Sequence, residues 1–398
     1  MTGKKVLAVC IATSGLAWLA GCEKAAPPPP PEKSKVSIIL TAFGDKDATF
    51  GETQPFLKAM KNNVDRTPES AFCKGVFEGT LFDQPVVVAT TGTGKDNSGP
   101  CMQELLYKYG NNIKEVIWSG IGGVSAAVGG YVNREGQVRS PMDPVMVGDV
   151  CISSLSWNYD LAFTGAADGA KARAESGKRY DPAGGWWPMM DSNGKSTVLG
   201  FENIQLFTIA DNTLASEITA AAGKVTWPEI DTAVRAKIER YFSPEQVRPV
   251  RFYDSSKCGE LSSDNFWAGV IEDRLARQYL ASLIATSGYG PATTSEDDVI
   301  AFTAMESSSW MSVVARWNKF NKANIPMAVV RGGSNYPHVP LDANADPKPG
   351  PDGKLLTAME EIELGLQEAG ASFAWNNAAL PILKMFELRS AAKPAPAK

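Results

Sequence analysis

The fold class is decided by residues 85–97, where Pro85-Val-Val-Val-Ala-Thr90 is followed by Thr91-Gly92-Thr93-Gly94-Lys95-Asp96-Asn97. The first part is a short apolar run, rich in β-branched residues and of the length of one buried strand. The second part turns the chain at its glycines and opens a helix, with Pro100 near its first turn and Gly110 at its end. A buried strand that leads through glycines into a helix is typical of a parallel sheet covered by helices.

The same alternation continues on both sides of this segment. Val36-Ser-Ile-Ile-Leu-Thr-Ala42 predicts the first buried strand. Glu115-Val-Ile-Trp-Ser119 predicts a further strand ending in Gly120-Ile121-Gly122-Gly123, and Ile325-Pro-Met-Ala-Val-Val-Arg331 predicts the last one, ending in Gly332-Gly333-Ser334-Asn335. We therefore predict one α/β domain with a mixed, mainly parallel central sheet flanked by helices, and ligands bound at the glycine-rich strand exits.

Other parts of the body predict helices and one insertion. Phe207 to Gly223, Ala268 to Ile284 and Phe373 to Leu388 have helical patterns. Residues 164–198 are polar and glycine-rich, and they predict a loop-rich insertion that contains Trp186-Trp187-Pro188. These tryptophans either cover a ligand or pack on the body.

The N-terminal 22 residues predict a lipoprotein signal peptide. Two lysines precede the apolar run Val6 to Ala20, which is shorter than the roughly 20 residues that span a bilayer. Leu19-Ala20-Gly21-Cys22 resembles the bacterial lipobox, in which the cysteine is acylated; an ordinary cleaved signal peptide is the alternative. We expect a protein of the cell envelope, anchored through Cys22 and facing the periplasm.

The remaining boundaries follow from composition. Residues 23–35 contain a proline run and predict a stiff linker, and residues 391–398 predict a disordered tail of Ala, Pro and Lys. The body, 36–390, is long enough for one large α/β domain.

Charge and residue types argue against several classes of protein. The net charge is −5 and the basic residues form no stripe in the body, which argues against a nucleic-acid partner. His338 is the only histidine, and no nucleophile elbow accompanies it, so we predict neither a serine triad nor a metal site.

Four cysteines lie in the predicted body. Their spacing resembles no zinc site. In an oxidising compartment we favour Cys73–Cys101 as the one disulfide, and we interpret Cys151, inside an apolar strand, as a small core residue.

Six short segments, in order along the chain, resemble the nucleoside phosphorylase superfamily. They are Thr91-Gly-Thr-Gly-Lys-Asp-Asn97, Ser119-Gly-Ile-Gly-Gly123, Val147-Gly-Asp149, Ser263-Asp-Asn-Phe266, Ala304-Met-Glu306 and Val330-Arg-Gly-Gly-Ser-Asn335. Leu261 to Trp267 and Ser334-Asn335-Tyr336 look closest to its purine nucleoside permease branch, which shares the fold despite the transporter name. The resemblance implies a nucleoside phosphorylase-like fold that binds a purine nucleoside.

The resemblance also implies residues that bind the ligand. Glu306, next to Met305, matches a glutamate that grips the ribose hydroxyls; the alternative is a carboxylate stabilised by a helix dipole. Phe266 matches an aromatic that stacks on the base, with Trp267 beside it; the alternative is core packing. We expect the other ligand-binding residues at the glycine-rich exits, namely Gly92, Thr93, Gly94, Gly120, Gly122 and Ser334.

The catalytic residues that the resemblance implies are Arg331, Asn335 and a carboxylate near the first strand. Arg331 matches an arginine that orients the attacking water in nucleosidases; pairing with a carboxylate to brace the strand is the alternative. Asn335 matches a position that faces the purine edge, where many members carry an acid that protonates the base. Asparagine forms hydrogen bonds there but is not a general acid. For the base that activates water we select Asp45, although neither it nor its neighbours Asp47 and Glu52 fall cleanly on the expected position.

Two departures from the pattern disfavour phosphate as a co-substrate. Trp118 stands where bacterial phosphorylases carry an arginine, and Ile121 stands where they carry a serine. Both replaced residues would donate hydrogen bonds to phosphate. We therefore favour hydrolysis of the N-glycosidic bond over phosphorolysis, without a cofactor. The alternative is a non-catalytic nucleoside-binding lipoprotein that assists nucleoside uptake, and the resemblance allows a homo-oligomer in either case.

Overall fold

A computed structural model describes most of the body of the chain. The described residues are 35–125, 131–132, 137–139, 145–160, 162–164, 186–188, 207–230, 232, 235–236, 248–264, 270–336, 341, 349, 353 and 368–392. The chain divides between Lys33 and Ser34, and the structure concerns the second unit, Ser34–Lys398. The predicted signal peptide with Cys22 and most of the predicted linker lie outside the described residues.

The elements of the body alternate between strands and helices. The strands are β1 Val36–Thr41, β2 Lys61–Asp65, β3 Gly75–Leu81, β4 Gln84–Thr90, β5 Ile113–Val124, β6 Tyr131–Val132, β7 Val138–Arg139, β8 Val150–Ser153, β9 Leu155–Asn158, β10 Ala162–Thr164, β11 Trp186–Pro188, β12 Phe207–Ile209, β13 Phe252–Tyr253, β14 Cys258–Ser262, β15 Ile300–Ala304 and β16 Met327–Asn335. The helices are α1 Gln54–Ala59, α2 Lys95–Tyr109, α3 Thr213–Ala222, α4 Val270–Ser287, α5 Ser307–Asn321 and α6 Glu368–Ala391.

A large mixed sheet forms the centre of the body. Its main path runs β12-β9-β14-β15-β5-β1-β4-β3-β2; β16 pairs with β5 and β8, and β13 pairs with β8. Pairing is parallel between β1 and both β4 and β5, between β5 and β16, and between β14 and both β9 and β15. The predicted mixed, mainly parallel α/β sheet flanked by helices is confirmed.

The centre of the sheet is covered on both faces, which explains its uninterrupted apolar strands. In β1 the side chain of Ile39 packs with apolar residues of α1, α3 and α6. Its neighbours Ile38 and Leu40 point the other way and pack with apolar residues of α2 and α5. Successive side chains of a strand alternate between faces, so a strand buried on both sides needs apolar residues at every position. Because β1, β5 and β16 are paired in parallel, their carboxyl ends lie at one edge of the sheet.

Three local predictions were wrong. The glycines of residues 120–123 and 332–333 lie inside β5 and β16 and are not turns that end those strands. Phe207 begins the strand β12, antiparallel to β9, and the helix starts only at Thr213. Within the predicted insertion, Trp186–Pro188 is a strand that pairs antiparallel with Ala162–Thr164. In each case pairing with a distant strand satisfies backbone groups that the local pattern assigned to a turn, helix or loop.

The four body cysteines form two disulfides. Cys73–Cys101 confirms the predicted pair. The interpretation of Cys151 as an unpaired core residue was wrong, because it is bonded to Cys258 across a sequence separation of 107 residues. The spacing of the two cysteines along the chain gave no sign of this pair, since only the packing of β8 beside β14 brings them together.

The two disulfides are expected to differ in their contribution to stability. Their sequence separations are 107 and 28 residues, and the chain entropy that a cross-link removes from the unfolded state grows with the closed loop. The double variant C151A/C258A should therefore lose about 1 kcal/mol more unfolding free energy than C73A/C101A. Urea unfolding of both variants under non-reducing conditions measures the difference, and the reverse order would contradict this account.

Candidate functional site

Arg331 is the centre of a buried ionic cluster at the carboxyl edge of the sheet. It lies on β16 in register with Gly120 of β5, and only 1% of it is exposed. Its Nε donates to Glu260 Oε2 at 2.9 Å and its Nη2 donates to Glu306 Oε2 at 2.8 Å. Its Nη1 donates to the carbonyl of Ile121 at 3.1 Å. Burial opposes the charge, but the two carboxylates raise the pKa of Arg331, which therefore stays protonated.

Glu52 lies in the loop between β1 and α1, and its carboxyl group reaches this cluster. It is 1% exposed; its Oε2 accepts the amide of Ala42 and its Oε1 accepts the amide of Ile121, both at 2.7 Å. Burial raises the pKa of Glu52 to about 8, with Arg331 acting against the rise and Glu306 adding to it. A carboxyl group with a pKa near neutrality can take up and release a proton under physiological conditions.

Gly120 is the residue that allows Glu52 and Arg331 to approach each other. A Cβ atom at this position would lie 2.6 Å from Glu52 Oε1 and 2.7 Å from Arg331 Nη1. Both distances are too short for a Cβ atom, so a side chain at this position would displace the Glu52 carboxyl and the Arg331 guanidinium. Gly120, which the sequence predicted as a ligand-binding residue, thus has a steric role. Glu52 Oε1 and Arg331 Nη1 lie beside the same small space next to it.

Glu306 connects the cluster to the glycine-rich loop after β4. Its Oε1 accepts the amide of Gly94 at 3.1 Å, while its Oε2 is bound to Arg331. Burial raises the pKa of Glu306, and Arg331 acts against that rise. Although Glu306 precedes the first residue of α5, its side chain makes no capping hydrogen bond to that helix. Glu306 thus lies at the N-terminus of α5, where the helix dipole also stabilises a carboxylate, while its hydrogen bonds go to Gly94 and Arg331.

Glu260 is a cluster residue that sequence reasoning missed. It lies in β14, where every residue is buried, and it is 1% exposed. Its Oε2 binds Arg331 and the hydroxyl of Ser307, and its Oε1 accepts the amide of Ser307 at 3.2 Å. One signal was available, because a glutamate inside an apolar strand requires a buried partner. We call Glu52, Glu260, Glu306 and Arg331 the carboxylate cluster.

Ser334 and Asn335 are the last two residues of β16, and Asn335 lies in register with Gly123 of β5. The Ser334 hydroxyl lies 2.8 Å from Asn335 Oδ1 and 3.2 Å from the carbonyl of Gly122, and it can donate to either. A Cβ atom on Gly123 would lie 2.6 Å from Thr303 Oγ1 and 3.3 Å from Asn335 Nδ2. The Asn335 amide therefore lies close to the end of β15, the strand that leads into Glu306.

The glycine-rich loop is occupied by internal contacts. Gly92 and Gly94 have φ angles of 95° and 91°, a region that favours glycine. The amide of Gly94 is bound by Glu306. The ammonium of Lys95, the next residue, forms an ion pair with Asp160. The loop thus has a backbone amide and a cation, but both already have carboxylate partners.

Trp118 lies beneath the arginine. Its ring centroid is 4.9 Å from the Arg331 guanidinium carbon and 6.2 Å from the ring centroid of Trp310, with which it is stacked. An aromatic face stabilises a buried cation without adding a hydrogen-bond donor. Trp118 therefore supports the positive charge of Arg331 and adds no second charge to the site.

The structure places Asp45, the carboxylate selected near the first strand, outside the carboxylate cluster. The side chain of Asp45 binds the amide and hydroxyl of Thr49, four residues away, and these hydrogen bonds lower its pKa. It is only partly buried, whereas Glu52 enters the cluster. The loop after β1 turns back through Gly51, so the residue that reaches the sheet edge lies further along the chain than the strand pattern indicated.

The remaining predicted site residues are placed as follows. Met305 is half-buried beside Glu306, and Thr93 is exposed at the tip of its loop. Gly122 is buried in β5, where a Cβ atom would lie 2.7 Å from the carbonyl oxygen of Thr303. Phe266 and Trp267 lie outside the described residues. Within the described ranges, no group of three or more His, Cys, Asp or Glu side chains could hold a metal ion, and no helix is long and apolar enough to cross a membrane.

Solved structures similar to this chain were found, but neither family models nor curated sequences matched it. The chain is similar to the 5′-methylthioadenosine/S-adenosylhomocysteine nucleosidase of Neisseria meningitidis in complex with methylthio-immucillin-A, at 15% identity over 88% of this chain and 98% of that one, with a TM-score of 0.43. It is similar to the corresponding Helicobacter pylori nucleosidase with butyl-thio-DADMe-Immucillin-A, at 14% identity over 88% and 99%, with a TM-score of 0.43.

Another similar structure is the futalosine hydrolase of Helicobacter pylori strain 26695, at 13% identity over 89% of this chain and 98% of that one, with a TM-score of 0.43. These three neighbours are nucleosidases and a hydrolase by name. The likeness is too distant to assign an activity to this chain, so the function is derived below from its own residues.

Proposed function

We propose that this protein is a purine nucleosidase, which breaks the N-glycosidic bond of a nucleoside with water. The observation that carries the proposal is the position of the Glu52 carboxyl beside the Arg331 guanidinium, where Gly120 leaves room for both. Together they offer one hydrogen-bond acceptor and one donor to a small polar molecule. Water matches this pair, because it donates through its hydrogens and accepts through its oxygen.

In this mechanism Glu52 is the general base. As the water oxygen bonds to the anomeric carbon of the sugar, one water proton passes to the Glu52 carboxylate. The bond between that carbon and the base nitrogen breaks, and its electron pair leaves with the base. Because the pKa of Glu52 is about 8, the ionised form increases as pH rises through that value. The rate should therefore increase with pH in the same range.

The charge of the cluster favours the transition state of this reaction. Three carboxyl groups surround one guanidinium, so the cluster is negative once the carboxyl groups are ionised. Departure of the base leaves positive charge on the sugar, which nearby carboxylates stabilise. Glu306 is also proposed to bind the ribose hydroxyls. Its Oε1 accepts the Gly94 amide and retains a lone pair that can accept a hydrogen bond from a hydroxyl.

Asn335 is proposed to bind the departing purine through its amide. An amide forms hydrogen bonds to ring nitrogens and exocyclic groups, but it has no proton to transfer as an acid. The proton that the base gains therefore comes from solvent. Phe266 and Trp267 are retained as predicted stacking residues for the base.

The partners of the donors in the site support hydrolysis over phosphorolysis. A phosphate site needs donors without an anionic partner, but Glu306 binds the Gly94 amide, Glu260 binds the first amide of α5, and Glu52 binds the Ile121 amide. Arg331 itself is bound by two carboxylates. Phosphate entering here would meet carboxylates of its own charge sign, whereas neutral water would not. No cofactor is proposed.

The second candidate is a nucleoside-binding lipoprotein without catalysis, of the kind that the purine nucleoside permease branch implies. Asparagine at position 335 favours this candidate, because the site then lacks an acid for the leaving base. For both candidates we propose export to the cell envelope and anchoring through Cys22. Two buried disulfides support an oxidising compartment, where such bonds persist.

The test is incubation of the full-length protein, purified in detergent, with inosine, adenosine and guanosine, each with and without phosphate. We expect release of free base and free ribose at the same rate in both conditions. Formation of ribose 1-phosphate would overturn hydrolysis in favour of phosphorolysis. Calorimetric binding of nucleoside without release of base would select the binding protein, and absence of both would contradict the nucleoside proposal altogether.

A further inference from the structure

Glu260 makes more contacts within the carboxylate cluster than its role as a counter-ion requires. Besides Arg331, its two oxygens bind the amide and hydroxyl of Ser307 and the hydroxyl of Ser262. Ser307 is the first residue of α5, directly after Glu306. One carboxylate therefore holds the guanidinium and the start of the helix that follows the proposed ribose-binding glutamate.

The strand that carries Glu260 is cross-linked to a strand beside Arg331. In the antiparallel pair of β16 and β8, Arg331 lies opposite Cys151. Cys151 is bonded to Cys258, two residues before Glu260 on β14. The connection closes a ring from Arg331 through β8, the disulfide and β14 to Glu260, and back to Arg331 through the 2.9 Å ion pair.

Among the described strands, β8 and β14 are not paired with each other, so the disulfide is the covalent link between them. In the described sheet, β14 pairs with β9 and β15, whereas β8 pairs with β13 and β16. Both cysteines are buried, at 2% and 0% exposure, in a cluster with Val124 and Phe302. The disulfide thus fixes the separation of two strands that are not paired with each other: β14, which carries Glu260, and β8, which pairs with the strand of Arg331.

We propose that Glu260 is a positioning residue that sets Arg331 and the start of α5 for the reaction, and that the Cys151–Cys258 disulfide holds its strand in place. This inference rests on the proposed hydrolysis. Glu260 does not touch the reacting atoms; it acts through Arg331. Arg331 faces Glu52 from β16, and Glu306 faces it from the start of α5. Loss of the Glu260 carboxylate should therefore alter the proton affinity of Glu52 by displacing Arg331.

The experiment compares E260Q with E115Q in the full-length protein. Glu115 is a matched control because it is also a buried glutamate, 3% exposed, bound to an arginine, Arg389, but it lies outside the carboxylate cluster. Carboxyl-carbon NMR of protein labelled at glutamate gives the titration midpoint of Glu52, assigned by its absence in E52Q. In E260Q we expect the pKa of Glu52 to rise, because a misplaced Arg331 no longer lowers it as it does in the wild type. In E115Q we expect no change.

Kinetics provide the second measurement. E260Q should lower kcat on the order of 10²-fold with a smaller change in KM, since a misplaced arginine affects the reaction more than substrate capture. The midpoint of its pH–rate profile should move in the same direction as the NMR midpoint. A Glu52 midpoint that stays in place in E260Q, or that moves equally in E115Q, would overturn the positioning role.

The disulfide is tested with C151A/C258A, and C73A/C101A is its control. The first variant should lower kcat by about 10-fold or more while the second leaves kcat unchanged. Equal kcat values in both would overturn the part of the proposal that concerns the disulfide, and this pair also serves if E260Q does not fold. A wild-type protein that releases no base overturns the hydrolysis instead, and the NMR titration still decides the role of Glu260.

Discussion

Replacing Glu52 with glutamine is expected to lower the rate of base release by about 10²- to 10⁴-fold, the range that a lost general base produces. The variant keeps the size of the side chain but has no carboxylate to accept the proton of water. Nucleoside affinity should change little, because Glu52 faces Arg331 and the assigned ribose contact is Glu306. Single-turnover kinetics and calorimetry on the same sample measure the two effects separately.

Stability must be measured alongside activity in E52Q. Both oxygens of Glu52 accept backbone amides, and the NH₂ group of glutamine would face one of those donors. Loss of that acceptor costs about 1–3 kcal/mol. The pH dependence of stability should also change. Wild-type Glu52 keeps its proton in the folded state up to about 8 but ionises near its ordinary pKa of 4.5 when unfolded.

Between those two values the unfolded state binds fewer protons, so the wild-type protein loses stability as pH rises from 4.5 to about 8. E52Q lacks this contribution. Asp45→Asn is the comparison variant, because Asp45 is the competing carboxylate near the first strand. Loss of activity in D45N together with normal activity in E52Q would show that the assignment of the base to Glu52 is wrong.

Replacing Arg331 with methionine is expected to give the largest loss of stability. Methionine fills a similar space but leaves Glu52, Glu260 and Glu306 without their counter-charge. Breaking a buried ion pair by removing one partner destabilises proteins by about 3–5 kcal/mol. Base release should be abolished as well, because the variant loses the donor that orients water.

The loss in R331M should increase with pH. Without the arginine, the pKa values of Glu52 and Glu306 rise further in the folded state, and ionisation of these two groups then favours unfolding. Arg389→Met is the control: Arg389 also binds two glutamates, Glu115 and Glu217, but its side chain is 16% exposed and that of Glu217 is 44% exposed. R389M should lose less stability and keep its kcat. Urea unfolding at two pH values measures the loss of unfolding free energy in each variant. A loss in R331M no greater than that in R389M would contradict this prediction.

Much of the fold could be predicted because its signals are local. The apolar runs at Val36–Thr41 and Gln84–Thr90 form strands that are buried on both faces, and burial on both faces is what produces such runs. The helix after Gly94 begins and ends close to the predicted residues. The motifs also selected Glu306 and Arg331, and the structure brings both into one buried cluster.

The parts that could not be predicted depend on contacts between distant residues. Asp45 and Glu52 both follow β1 closely, and the sequence does not distinguish them as candidate bases. Only the return of the loop after β1 places Glu52 against the Ala42 and Ile121 amides. Glu260 had no motif to mark it. The glycines of β5 were interpreted as a turn, because their strand pairing and the close contact at Gly120 appear only when β16 packs beside them.

By itself, the sequence determined the α/β class and the order of the central strands and helices along the chain, since hydrophobic periodicity and glycine positions act over a few residues. Only the tertiary structure decided which carboxylates share Arg331 and that Cys151 bonds to Cys258. Burial is the physical reason: a charge or a thiol acquires its partner, and a carboxyl its raised pKa, only when strands far apart in the chain enclose it together.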